Sequence, residues 1–187
     1  MQYYSGQDMA RSFRTVRNNT IRVAEDIPEE QYGFRAAPET SSVAERLAHI
    51  AAAPRFAKSM HTQRLTHPDF ATFRAGHEEL MKYEATLTTK AQILDALRAG
   101  GEKFATWLGT LNDDLLAERV YFPEGAQPPS KTRFEMLLSP KEHEMHHRGQ
   151  LMVVERMLGI VPHLTREQQA RMAAMGQQPA KAQAGKA

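Results

Sequence analysis

Cysteine is missing from all 187 residues, which removes disulfides, thiolate metal ligands and a cysteine nucleophile from consideration. Its absence also suits a reducing compartment. No apolar run comes near the ~20 residues that a membrane-spanning helix requires. The opening stretch MQYYSGQDMARSFR is polar and contains nothing of the signal-peptide kind. A cytoplasmic protein is therefore expected. Charge of one sign is not in excess either: 24 Lys and Arg against 22 Asp and Glu leave +2. The pI of 8.9 reflects that near balance, and no basic surface for nucleic acid is implied. There is no internal repeat and little alternation of the β type. What remains is 41% apolar and 25% charged, in a chain long enough for one domain with a real core.

The apolar residues recur at helical spacing in four stretches. Met9, Phe13, Val16, Val23 and Ile27, with Thr20 filling the missing step, predict a helix from Gly6 to Ile27, closed by Pro28. Ser42 with Glu45 three residues on forms a capping box for a second helix reaching Gln63. Val43, Leu47, Ile50, Ala53 and Ala57 form its buried arc, Pro54 bends it, and His49 falls on the edge of the arc beside Ala53, Phe56 and Met60. Residues 67–88 read as a connector with one helical turn near Glu78 to Tyr83. A third helix follows from Thr89 to Leu111, weakened in its middle by Gly100-Gly101 at ~1 kcal/mol per glycine. Residues 113–131, with three prolines, read as a long loop.

The fourth helix ends near Gly159. It starts either at Ser139, with Pro140 at the first helical position, or at Thr132 with a kink at Pro140. Met136, Pro140, His143, His147, Leu151, Val154 and Leu158 step along one seam of it. Beyond residue 162, Thr165 to Met175 predicts a short polar helix, and the tail from Gly176 has a disordered composition. The expected organisation is an all-α four-helix bundle with long connections over residues 1–162. A short helix and flexible tail complete the chain over 163–187. Bundles of this type build metal sites between facing helices.

His143 and His147 stand four residues apart on the inward seam, one imidazole above the other, as a shared metal ion requires. The string also reads HExxH, a zinc-protease helix with Glu144 as base. The extended protease form fails, because Gly149 stands one place early and Val153 occupies the last ligand position. His49, on the inner side of the second helix, is the coherent third ligand, and a site of three histidines leaves one position open. His146 points off the seam. Glu144 reads as a solvated residue or as a carboxylate orienting an imidazole or a water. Arg148 reads as a surface ion pair or an anchor for an anionic substrate. Gly149 and Gln150 read as packing residues, and His61, His67, His77 and His163 as incidental.

Two stretches together, Pro38-Glu39-Thr40-Ser41-Ser42-Val43-Ala44-Glu45-Arg46-Leu47-Ala48-His49-Ile50 and His143-Glu144-Met145-His146-His147-Arg148-Gly149-Gln150, resemble the DinB-like superfamily. It is also called damage-inducible or YfiT-like, and is distinct from the DNA polymerase of similar name. The resemblance covers roughly Met9 to Gly159. It implies a four-helix bundle holding a divalent ion, often nickel or zinc, on three histidines, which fall here on His49, His143 and His147. It also implies a homodimer and, as in some relatives, a transferase or isomerase using a low-molecular-weight thiol such as mycothiol, bacillithiol or glutathione. No separate thiol-binding motif accompanies it. The expected function is a divalent-metal-dependent enzyme, a thiol-dependent S-transferase acting on small electrophiles, with Glu144 and Arg148 as candidate catalytic residues. The alternatives are a metal-dependent hydrolase and a non-catalytic metal- or small-ligand-binding module of a stress response.

Overall fold

The computed structural model describes residues 4–176. Of the tail expected to be flexible from Gly176, residues 177–187 lie outside the described residues.

Helix α1 (Gly6–Asp26) starts at Ser5, whose hydroxyl accepts from the Asp8 N–H while the Asp8 carboxylate accepts from the Ser5 N–H. The expected apolar steps Met9, Phe13, Val16, Thr20 and Val23 are all buried. So is Arg17, which the apolar pattern passes over. Helix α2 (Val43–Thr62) begins at the Ser42–Glu45 capping box. Pro54 lies inside it and is buried. Lacking an N–H, this proline cannot bond the carbonyl four residues back. That carbonyl, of Ile50, instead accepts from Arg17 Nη2 at 3.2 Å.

Helix α3 (Phe70–Glu84) replaces the connector expected over 67–88; the Asp69 carboxylate caps it at the Thr72 N–H. Only Leu80 is fully buried in it; Phe73, Gly76 and Tyr83, at helical steps from Leu80, are half-buried and form a weak stripe that the expected connector passed over. The expected third helix is α4 (Lys90–Asp95), continuing through a π turn (Ala96–Gly100) into α5 (Gly101–Leu108). The stretch read as a long loop, 113–131, contains α6 (Asp113–Ala117) and β1 (Arg119–Tyr121). β1 pairs antiparallel with β2 (Ser130–Thr132), Arg119 opposite Thr132. Strands of three residues are too short for alternation to show in sequence. Helix α7 (Arg133–Met157) takes the earlier of its two possible starts, on the Thr132–Glu135 capping box, so Pro140 is internal. Helix α8 (His163–Gly176) follows.

The fold is an all-α bundle of α1, α2, α4–α5 and α7. α1 packs against α5 and α7, and α2 against α7 and the π turn. One core cluster joins Val23, Ile27, Leu47, Ile50, Ile93, Leu97 and Leu151; a second joins Met9, Phe13, Phe104, Leu108, Leu116 and Leu137. α3 lies on α2, and α8 on α1. Among the described residues no helix is long and apolar enough to cross a membrane.

Candidate metal centre

α2 and α7 face each other, and their seams bring His49 against His143 and His147. The Nε2 atom of His143 lies 3.0 Å from that of His49 and 3.0 Å from that of His147. One ligand atom from each of the three lies within 4.8 Å of the others. At a metal–nitrogen distance of ~2.1 Å, ligands at right angles stand ~3.0 Å apart, the spacing of the two pairs that share His143, and the third pair lies within 4.8 Å.

The far ring nitrogens explain the orientation. His49 Nδ1 lies 2.7 Å from Glu84 Oε1, and His147 Nδ1 lies 2.8 Å from Gln150 Oε1. Both partners are acceptors, so each Nδ1 carries the proton and each Nε2 presents a lone pair. Arg46 Nη1 lies 3.0 Å from His147 Nδ1 and also donates to Gln150 Oε1. A guanidinium only donates, so Arg46 and Gln150 ask opposite roles of His147 Nδ1; Gln150 Oε1, the nearer at 2.8 Å, takes its proton in the tautomer that leaves Nε2 free for a metal. His143 Nε2 meets two such lone pairs and has at most one proton to give. Three converging imidazole nitrogens are therefore under-satisfied alone and well suited to a divalent cation.

Electrostatics points the same way. His143 is pushed down to about 4 by burial, then by the neighbouring imidazoles. Burial also lowers His147, against an opposing pull from Gln150. Both rings are neutral near pH 7, the state a metal ligand needs. His49 keeps a third of its side chain exposed, so the cluster is reachable from solvent.

The structure thus brings together the three expected ligands and separates them from the other expected residues. Glu144 is not solvated. It is buried, and accepts from Arg17 Nε at 2.9 and 3.1 Å and from Arg17 Nη2 at 2.9 Å. Arg148 is half-buried and donates from Nη1 to the Val16 carbonyl at 3.2 Å, and burial lowers its pKa. Among the described residues neither side chain is hydrogen-bonded to the three imidazoles. His146 is exposed and 3.2 Å from Gln150 Nε2, off the seam as expected.

Gln150 is more than packing, because it holds His147. Arg17, Arg46 and Glu84 escaped the sequence reading. Arg17 has a weak signal, standing in the i, i+4 row Phe13, Arg17, with Thr20 and Ala24 completing the buried face. Glu84 has none, since it stands past the end of the weak Phe73–Leu80–Tyr83 row of its helix. His61 and His163, read as incidental, are buried. His61 Nδ1 accepts from Arg133 Nη1 at 3.1 Å, and burial, with Arg133 beside it, takes its pKa down to about 4.

The family model of the DinB superfamily matches residues 12–151. No curated protein matches the chain. Among solved structures, a DinB-like protein from Bacillus subtilis is similar at 22% identity and TM-score 0.60, over 81% of this chain and 91% of that one. A DinB-like protein from Bacillus cereus is similar at 18% identity and TM-score 0.64, over 86% of this chain and 97% of that one. At such identities the likeness is one of fold.

Proposed function

The chain belongs to the DinB superfamily, and from that premise we propose that it is a divalent-metal-dependent enzyme whose ion is held by His49, His143 and His147. The observation that carries the reading is the convergence of three Nε2 atoms at 3.0 Å steps, with two of the Nδ1 atoms already given to acceptors. Nickel and zinc both suit an all-imidazole donor set. Such an ion lowers the pKa of a thiol or water bound to it and so supplies a nucleophile at neutral pH.

The chain's own residues do the rest by holding geometry. Glu84 and Gln150 keep the Nδ1 protons on His49 and His147, so that Nε2 faces inward. Arg46 braces Gln150. Arg17 and Glu144 lock α7 to α1, which sets the height of both α7 histidines. We assign Glu144 this positioning role, since its carboxylate is taken by Arg17. Arg148 anchors α7 to the Val16 carbonyl in the same way. The reaction proposed is transfer of a low-molecular-weight thiol to a small electrophile. The accessible edge of His49 favours turnover over a sealed storage site. The homodimer implied by the resemblance belongs to this proposal, and the solvent face of α7 offers a surface for it. There Met145, Val153 and Met157 are exposed in one row with Gly149.

Elemental analysis of the purified protein beside His49→Ala and His147→Ala is the test. About one divalent ion per chain, lost in both variants, is expected. A wild type that takes up no metal even after reconstitution overturns the reading.

A further inference from the structure

Helix α3 lies outside the four-helix core and is weakly buried. Of its fifteen residues only Leu80 is buried, while Phe70 and Met81 are exposed at 63% and 50%. It packs on α2 and on no other helix to a comparable extent. The Phe56 ring lies directly on Gly76, where an added Cβ would come within 2.2 Å of Cε2. Arg55 covers the Tyr83 ring at 3.9 Å. Phe73 lies beside the rings of Phe56 and Phe122, and at the C-terminal end Glu84 adds a polar tie, its carboxylate 2.7 Å from His49 Nδ1 and only 15% of its side chain exposed. A weakly buried helix is thus fastened at one end to the imidazole cluster.

We propose that Glu84, through its hold on His49, couples the docking of α3 to occupancy of the metal centre. The inference rests on the reading in which the three imidazoles hold a divalent ion. A cation on Nε2 draws electron density from the ring and makes Nδ1–H a stronger donor. The His49–Glu84 bond therefore tightens when the site is loaded, and α3 with it. Linkage requires the converse: the docked α3 raises the affinity for the ion by the same factor. Without Glu84, His49 is free to place its proton on either nitrogen, and half of its tautomers face the ion with N–H instead of a lone pair.

The test uses full-length protein, zinc as the probe, and the variants Glu84→Gln and Glu84→Ala, with circular dichroism to show that each is folded. Zinc affinity is read by competition with a chromophoric chelator, and the order of α3 by amide hydrogen exchange over residues 70–84. Glu84→Ala is expected to bind zinc roughly 10- to 100-fold more weakly. Glu84→Gln, which keeps an acceptor oxygen without the charge, is expected to fall between. In the wild type zinc slows exchange across α3; in Glu84→Ala it leaves α3 exchange unchanged. Wild-type affinity and wild-type slowing in Glu84→Ala would overturn the coupling while leaving the metal centre standing. Absence of zinc binding in the wild type would instead bring down the metal reading, and the coupling with it.

Discussion

Buried charge is the most consequential choice made at the level of single residues. Arg17 and Glu144 are 3% and 1% exposed and face each other across α1 and α7. Removing one partner strands the other in the core, at a cost of about 3–5 kcal/mol. Glu144→Ala should therefore lose roughly that much in urea denaturation. Arg17→Met with Glu144→Leu should recover a large part of it, because an apolar pair leaves no stranded charge. This pair was not legible in the sequence. The residues are 127 positions apart, and an arginine beside Val16 reads as a solvated flank of the helix. His143 and His147 were legible because a four-residue step fixes their relation without knowledge of the rest of the fold. His49 was legible through the arc of its own helix, while Glu84 was not, since its role depends wholly on where α3 lies.

At the level of elements, four stretches announced themselves by apolar spacing, and the capping box at Ser42 marks a start that the structure uses, whereas α7 starts at Thr132 and not at Ser139. α6 and the two short strands stayed hidden because they are too short to imprint a period; α3 has the helical steps Phe73, Gly76, Leu80 and Tyr83, but only Leu80 among them is aliphatic and buried. The glycine pair of the third helix has a physical reason that composition cannot supply. A Cβ at Gly101 would stand 2.8 Å from Arg17 Cγ, whereas one at Gly100 would meet nothing nearer than the Ala51 carbonyl at 3.9 Å. The two sites should therefore respond with opposite signs. Gly100→Ala should gain up to about 1 kcal/mol from helix propensity. Gly101→Ala should lose about 1–3 kcal/mol, because the buried guanidinium must shift from its partners. Thermal melts of the two variants decide the matter.

The molecule as a whole carries a dependence on pH that its balanced net charge does not suggest. Glu155 on α7 is fully buried, its carboxylate without a hydrogen-bond partner among the described residues. Burial, then Asp26, raises its pKa from 4.5 to about 7. The folded protein holds this proton where the unfolded chain has released it. The contribution is therefore fully present below pH 4.5 and is lost as pH rises through 7. Glu155→Gln removes the titration, so wild-type stability relative to this variant should fall by up to about 3 kcal/mol between pH 4.5 and 7.5. Urea midpoints across that range would show it; parallel curves would refute it. His61 runs the other way. Its folded pKa of about 4 lies below the ordinary 6.5, so its contribution is present above 6.5 and fades as pH falls toward 4.

Arg17 also bears on the order in which the chain assembles. Its guanidinium reaches the Ile50 carbonyl, the Leu97 carbonyl and the Glu144 carboxylate, 33, 80 and 127 positions away. No two helices meeting early can complete that arrangement; it closes only when α1, α2, the π turn and α7 have all arrived. Interactions absent from the folding transition state govern how fast the native state is left and have little effect on how fast it is reached. Arg17→Met is therefore expected to speed unfolding far more than it slows refolding, a latch on the way out that the two arms of a chevron would reveal.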